Sequence, residues 1–447
     1  MIFPTGRGRL WSIPGRLLAS VLALCLTAGL AHVPTGSPAS GIGSALAASD
    51  GDAVVPHFRR GVNLSRLQNY AYRDPERPGK YLWPPFQGDL ARITDPELER
   101  LTALGLDFVR LPVDAGVFLA ADGVERRLLL DDLKTLVVRL LDAGLGVMVD
   151  IHPSTYQSDW TPRDILAEAD GPRLKAYEGF LVDVAKRLRD LPPDRVALEL
   201  MNEPQSVCYR EDGEDWSVTQ KKLYDSVRGA APDLPVVLTP GCWRSLEELE
   251  YMSLEGYDDK IIFDFHFYDP YYLTHQSLPW SMVPLRYIAG LTYPWTSGSI
   301  ESAEVLTKQR LAALEKSGVD LPDDAFARAM EGVRDYYNRK RPDLAFIEER
   351  FDTLAQWSDK YDIAPERIVL GEFSAIRPPE GLPDDGSRLA WIRDVRSVTE
   401  ILGFGWAFWD YDEGFGMITD NATRTLDPGI VEALGLDPDA LSIPVRP

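Results

Sequence analysis

Two glutamates carry the strongest chemical signal in the chain. Glu203 closes the run Leu198-Glu199-Leu200-Met201-Asn202-Glu203-Pro204, and Glu372 lies in Gly371-Glu372-Phe373. Each ends an apolar stretch, where a carboxylate is costly unless it is paired or used. Further polar and aromatic residues recur at comparable places. Arg110 falls within Phe108–Val113, and His152 follows Asp150-Ile151. His266 and Tyr268 belong to Asp264-Phe265-His266-Phe267-Tyr268, and Trp409 ends Trp406-Ala407-Phe408-Trp409. Two carboxyls facing each other across a cleft rimmed with aromatic rings form the arrangement that glycosidic cleavage requires. Taken singly, each residue has an ordinary explanation. Asn-Glu-Pro can open a helix, Glu372 can be a salt-bridged carboxylate, His152 and His266 can be satisfied core histidines, and Trp409 can be core. Their joint placement at successive strand ends is what favours a site.

The elements that must hold these residues form a regular series. Apolar runs bounded by turn signals occur at Arg60–Arg66, Phe108–Val113, Gly146–His152, Val196–Glu203, Pro235–Gly241, Ile261–Tyr268, Ile368–Phe373 and Gly403–Tyr411. Segments of helical period separate them. The clearest repeats Leu174, Tyr177, Leu181, Val184, Ala185 and Leu188 along one face. Others run through Pro96–Leu104, Leu128–Ala143, Ser217–Ala230, Ser245–Met252, Glu349–Tyr361, Ser387–Leu402 and Ile430–Leu434. Eight strand–helix units predict a parallel (β/α)8 TIM barrel in a single domain spanning 48–447. A doubly wound open sheet would carry a glycine-rich phosphate turn after its first strand, and none follows here. Two connections are long. One after strand one (64–92) holds Tyr70, Tyr72, Tyr81, Trp83 and Phe86. The other, after strand six, is an insertion at about 270–345 with extra helices near 302–317 and 323–339. Its Tyr271, Tyr272, Trp280, Tyr287, Tyr293 and Trp295 are expected to form part of the cleft, since sugar rings stack on aromatic faces.

Composition narrows the partners. With 47 Lys+Arg against 69 Asp+Glu, the 447-residue chain has a net charge of −22. That balance argues against nucleic acid and against an anionic membrane surface. Arg7, Arg9 and Arg16, an uncharged apolar run at 17–31, and Ala45-Leu46-Ala47 make residues 1–47 a secretory signal peptide. Its removal takes away three arginines and no acid, so −22 becomes −25. The mature chain is then a secreted or periplasmic protein with no membrane segment, and a monomer is expected. Export leaves Cys208 and Cys242, expected to form a disulfide. No Cys or His spacing suggests a metal, and no cofactor is implied.

At the level of motifs the chain resembles glycoside hydrolase family 5, the cellulase family of retaining (β/α)8 enzymes, from about Arg60 to about Tyr411. The resemblance implies roles for eight residues. Glu372 would be the nucleophile and Glu203 the acid/base. Arg110, His152, Asn202, His266, Tyr268 and Trp409 would bind substrate or support the glutamates. Phe265-His266-Phe267-Tyr268 through Thr274-His275-Gln276 also looks like bacterial members, whereas Pro153 stands where many relatives carry a second histidine. Glu199, on the same inward face as Glu203, reads as a buried partner of Arg110. The function implied is endo-acting hydrolysis of a β-1,4-glucan. A β-mannanase and an exo-β-1,3-glucanase stand as alternatives, the second because of Gly371-Glu372-Phe373-Ser374-Ala375. A carbohydrate-binding barrel without catalysis is a third, and both glutamates being present argues against it.

Overall fold

Alternation along a strand decides which side chains enter a barrel and which meet the surrounding helices. The computed structural model describes residues 54–154, 159–206 and 216–445. The strands β1 (Arg60–Asn63), β2 (Phe108–Val113), β3 (Gly146–Ile151), β4 (Val196–Glu199), β5 (Val236–Leu238), β6 (Ile261–His266), β7 (Ile368–Phe373) and β8 (Gly405–Phe408) pair in sequence order and close into a barrel. All eight pairings, including β1 with β8, are parallel. The architecture is the (β/α)8 barrel that the strand–helix alternation predicts.

The interior is stratified. One layer is apolar: Phe108, Met148, Ala197, Val237, Ile262, Val369 and Ala407 cluster with Phe58. Two residues further along the strands the chemistry changes. Arg110, Asp150, Glu199 and Asp264 follow Phe108, Met148, Ala197 and Ile262, and all four are fully buried. The outward positions, such as Val109, Leu111, Val149, Leu198, Phe263 and Leu370, join the main apolar core against the helices.

Those helices are α1 (Asp95–Ala103), α2 (Ala115–Ala120), α3 (Gly123–Asp142), α4 (Pro172–Leu188), α5 (Trp216–Ala230), α6 (Ile300–Lys316), α7 (Ala325–Asp335), α8 (Leu344–Lys360), α9 (Ser387–Ile401) and α10 (Pro428–Ala433). Local chemistry sets several starts: Thr94 and Glu97 form a capping box at α1, as Asp122 and Glu125 do at α3. One expected helix differs. In place of a helix over Ser245–Met252 there is a tight turn through Gly241–Arg244 followed by a 3-10 segment, Leu246–Tyr251. Cys242, Trp243 and Arg244 all have φ near +50 to +60°, which breaks the helical path before it can start. The short helix α2, capped by Asp114, was not legible in the apolar pattern.

The insertion after β6 contains its two expected helices, α6 and α7, the latter running on into a π-turn at Tyr336–Lys340. Its aromatics divide. Tyr287 and Tyr293 pack into the main core, and Trp295 lies under the Arg341 guanidinium at 5.1 Å. Tyr271 and Trp280 remain exposed. The expectation that the whole set lines the cleft therefore fails for Tyr287 and Tyr293, which are buried in the core, and only Tyr271 and Trp280 are left largely open to solvent.

Residues 1–47, read as a signal peptide, lie outside the described residues, and so does Cys208. Cys242 is disulfide-bonded, to a partner also outside them. If Cys208 is that partner, the denatured, unreduced mature protein exposes no reactive thiol. Two titratable thiols would exclude the bridge, which in a chain-entropy picture is worth about 3–4 kcal/mol.

Candidate active site

The mouth of the barrel is built on the buried polar layer. Arg110, on the inward face of β2, spends every guanidinium N–H on it. Nε and Nη2 make a two-point contact with Glu199, each at 2.9 Å. Nη2 also reaches Asn202 Oδ1 at 2.8 Å and Asp150 at 2.9 Å. Nη1 donates to Asn63 at 3.0 Å and to Glu372 Oε1 at 2.7 Å. Burial works against this cation, but Asp150, Glu372 and Asp264 outweigh burial and raise its pKa above the ordinary value. The pairing of Arg110 with Glu199 follows the sequence reading.

Glu372 reaches the cleft through an irregularity in β7, whose register with both neighbours shifts around Gly371 and Glu372. Gly371 is required there, because a Cβ would lie 2.1 Å from Asp264 Oδ2. Tyr268 Oη donates to Glu372 Oε2 at 3.1 Å, so both carboxylate oxygens accept hydrogen bonds. Burial, then Glu372 and Glu203, push the Tyr268 phenol well above its ordinary pKa and keep its proton available for donation.

Glu203 lies beyond the end of β4. Asn202 N still donates to Ile151 O at 2.8 Å, then Glu203 takes φ +37° and Pro204, lacking an N–H, ends the pairing. The Glu203 side chain is 31% exposed to the cleft. Burial of the rest of the carboxyl, followed by repulsion from Glu372, raises its pKa well above the usual carboxylate value. One carboxylate oxygen of Glu203, one of Glu372 and a ring nitrogen of His266 all lie within 4.8 Å of one another. Among the described residues, these three groups are also the one set placed to share a cation.

The remaining expected residues surround this pair. His266 Nδ1 lies 2.9 Å from Glu203 Oε1. His152 bonds Asp150 through Nδ1 at 2.7 Å and Asn202 Nδ2 through Nε2 at 3.1 Å. Because Arg110 can only donate, Asn202 must present its oxygen to Arg110 and its NH2 to His152. That leaves one amide hydrogen of Asn202 for a ligand. Trp409 stacks on His152 at 5.8 Å and 17°. All eight residues expected at the site are thus brought to one place, although both nitrogens of His152 are already engaged within the protein.

The sequence reading missed four members of this network, among them Asn63 at the end of β1, which accepts from Arg110. Asp150 and Asp264 sit two residues before His152 and His266, so alternation alone would have turned them inward. Arg244 had no such signal, since it comes from the turn after β5. It is fully buried, contacts Glu199, and reaches Asp264 Oδ1, His266 Nε2 and Met201 O at 3.0 Å each.

A (β/α)8 barrel with paired glutamates at its C-terminal mouth and a tryptophan stacked on the neighbouring His152 has the make-up of a glycoside hydrolase. Residues 91–414 match the family model for cellulase (glycosyl hydrolase family 5), and the chain belongs to that family. Endoglucanase C of Acetivibrio thermocellus is 24% identical over 325 residues, covering 71% of this chain and 84% of that protein. Among solved structures, Cel5A of Thermotoga maritima with cellobiose superposes with a TM-score of 0.58 at 20% identity, covering 84% of this chain and 97% of that one. A family 5 xyloglucanase from Paenibacillus pabuli gives 0.61 at 15% identity, covering 86% and 99%. The enzyme is a cellulase-like glycoside hydrolase.

Proposed function

We propose that this enzyme is a secreted, monomeric endo-β-1,4-glucanase that retains anomeric configuration by double displacement. The observation that carries the reading is the approach of Glu203 and Glu372 to within 4.8 Å between carboxylate oxygens. Retaining glycosidases hold their carboxyls about 5–5.5 Å apart, whereas inverting ones need about 6.5–9.5 Å to admit a water.

Glu372, oriented by Arg110 and Tyr268, attacks the anomeric carbon and forms a glycosyl ester. Glu203, whose carboxyl burial and Glu372 push toward the protonated form, gives its proton to the leaving glycosidic oxygen. The same carboxylate then takes a proton from the water that cleaves the ester. Asn202 offers its free amide hydrogen to the 2-hydroxyl of the sugar under attack, a contact that strengthens as positive charge develops on the ring. Trp409 supplies the floor beneath that sugar. No step calls for a metal or an organic cofactor.

The endoglucanase activity of the curated relative supports a β-1,4-glucan as substrate. Secretion rests on the arginines and apolar run of residues 1–47. Among the described residues no helix is long and apolar enough to cross a membrane. The test is a panel of carboxymethyl-cellulose, mixed-linkage glucan, laminarin and mannan, with product anomers followed by NMR. The expected outcome is fastest release from the β-1,4-linked glucans and a first-formed β-anomer. Preference for laminarin or mannan would replace the substrate, and a first-formed α-anomer would sink the retaining mechanism.

A further inference from the structure

We propose that Arg244 is a positioning residue for the acid/base glutamate: its donation to His266 Nε2 locks that imidazole as the Nδ1–H tautomer aimed at Glu203. The proposal rests on the role assigned to Glu203 above. Arginine has no acceptor, so a contact of 3.0 Å from Arg244 Nη1 requires a lone pair on His266 Nε2. A neutral ring then carries its hydrogen on Nδ1, which faces Glu203 Oε1 at 2.9 Å. That oxygen accepts, and the acidic proton of Glu203 is left to the other oxygen, Oε2. The tautomer therefore decides which edge of the carboxyl faces the glycosidic oxygen.

Without Arg244 the ring would lose the donor at Nε2 that fixes its tautomer and the nearest charge that opposes its protonation. Asp264 lies 3.9 Å from Nε2, Glu203 2.9 Å and Glu372 3.6 Å from Nδ1, with Arg110 and His152 beyond. Losing Arg244 removes the largest charge that opposes a second proton on the ring, while burial, Arg110 and His152 continue to oppose it. An imidazolium touching both glutamates would favour their ionised forms and remove the acid. Burial, then Arg244, instead hold the His266 pKa well below its ordinary value. Arg244 thus supplies the positive charge that Asp264 and Glu199 need while keeping that charge off the ring.

The backbone is arranged for this contact. Cys242, Trp243 and Arg244 adopt φ of 49, 56 and 61°, a left-handed run that side chains bearing a Cβ rarely adopt. It is held by Trp243 N to Pro204 O at 3.2 Å and by Cys242 N to Ser206 Oγ at 3.0 Å. Pro204 is the neighbour of Glu203, so the turn that delivers Arg244 is bonded to the segment that delivers the acid. The disulfide at Cys242 anchors the same turn.

Two measurements test the proposal. In the wild-type protein labelled with 15N-histidine, the His266 ring is identified by its loss in His266→Gln. It should carry a proton on Nδ1 and none on Nε2 from about pH 5 to 8, the range in which an unperturbed histidine titrates. A proton on Nε2, or an imidazolium, overturns the proposal. That outcome is independent of catalysis and so separate from any failure of the glutamate assignments.

In Arg244→Met, kcat/KM on cellohexaose should fall about 100-fold, the lower end of what general acid catalysis contributes. Glycosylation by dinitrophenyl cellobioside, which needs little acid, should stay within about threefold, because only the proton-transfer part of the barrier is touched. The alkaline limb on cellohexaose should move to lower pH to the extent that His266, released from the Arg244 charge, takes up a second proton beside Glu203. Arg244→Lys, which keeps a charged donor, should restore the limb. Equal losses on both substrates with an unmoved pH profile would assign Arg244 a purely structural role; if Arg244→Met does not fold, the wild-type NMR decides.

Discussion

Glu372→Ala should lose turnover on every substrate, whatever the leaving group, by a factor on the order of 10⁵ or more, the scale of losing a nucleophile. Glu203→Ala should lose about 10²–10⁴-fold on unactivated glucan, the contribution of a general acid. It should spare the first step with dinitrophenyl glycosides, whose leaving group needs little protonation. Added azide separates the roles by stereochemistry. In Glu203→Ala the glycosyl ester on Glu372 still forms, and azide replaces water on its open face to give a β-glycosyl azide. In Glu372→Ala, azide enters the vacated nucleophile pocket while Glu203 protonates the leaving group, and the α-glycosyl azide results. The structure makes both reactions accessible, because Glu203 opens to the cleft and Glu372 lies within 4.8 Å of it. Opposite anomers would mean that the two roles are interchanged. No azide adduct from either variant would leave the double displacement without support.

The barrel and the strand ends that gather the candidate site residues were legible because both depend on short-range periodicity. Parallel strands covered on both faces read as continuous apolar runs, and Phe108–Val113 and Ile368–Phe373 appear with their expected bounds. Where strands ran shorter than expected, the polar residues themselves were the reason. Val196–Glu203 stops at Glu199 because the following residues leave the barrel to deliver Asn202 and Glu203. What escaped the sequence were relations across the fold. Nothing near Arg244 says that three left-handed residues will turn it beneath His266. Nothing in Gly371 says that its missing Cβ makes room for Asp264. Nor does composition separate Trp280, left exposed, from Tyr293, whose hydroxyl is bonded to Asp394 at 2.7 Å. These are decisions of tertiary packing, taken between segments far apart in sequence, as Tyr293 and Asp394 are at 101 residues.

Arg110→Met should be destabilised by about 3–5 kcal/mol at neutral pH, because it strands buried carboxylates without their cation. Its activity should fall with it, since Glu372 loses the 2.7 Å donor that orients it. The pH dependence identifies the cause. In the wild type, Asp150 is held below its ordinary value of 3.8: burial raises it, but Arg110, His152 and Arg244 outweigh burial. A depressed carboxylate contributes stability above its unfolded pKa and loses it as pH falls through the folded value. Removing Arg110 takes away the largest of those cations, so burial raises Asp150 instead and the sign reverses. A raised carboxylate contributes stability that is full below the unfolded pKa and is lost as pH rises through the folded one. Asp264 and Asp114, both pushed up to about 6 chiefly by burial, already give the wild type some gain on acidification. The variant should gain more between about pH 7 and 5, so the two denaturation midpoints converge as the solution is made acidic. Arg110→Lys keeps the charge and should keep most of the wild-type slope. It cannot reproduce the two-point contact with Glu199 while reaching Glu372, so its activity should still fall. Adding Glu199→Gln to Arg110→Met removes one carboxylate from a layer left with Arg244 as its remaining arginine and should recover part of the lost stability. A variant as stable as the wild type at neutral pH, with an unchanged slope, would show that the buried layer is not organised around this guanidinium.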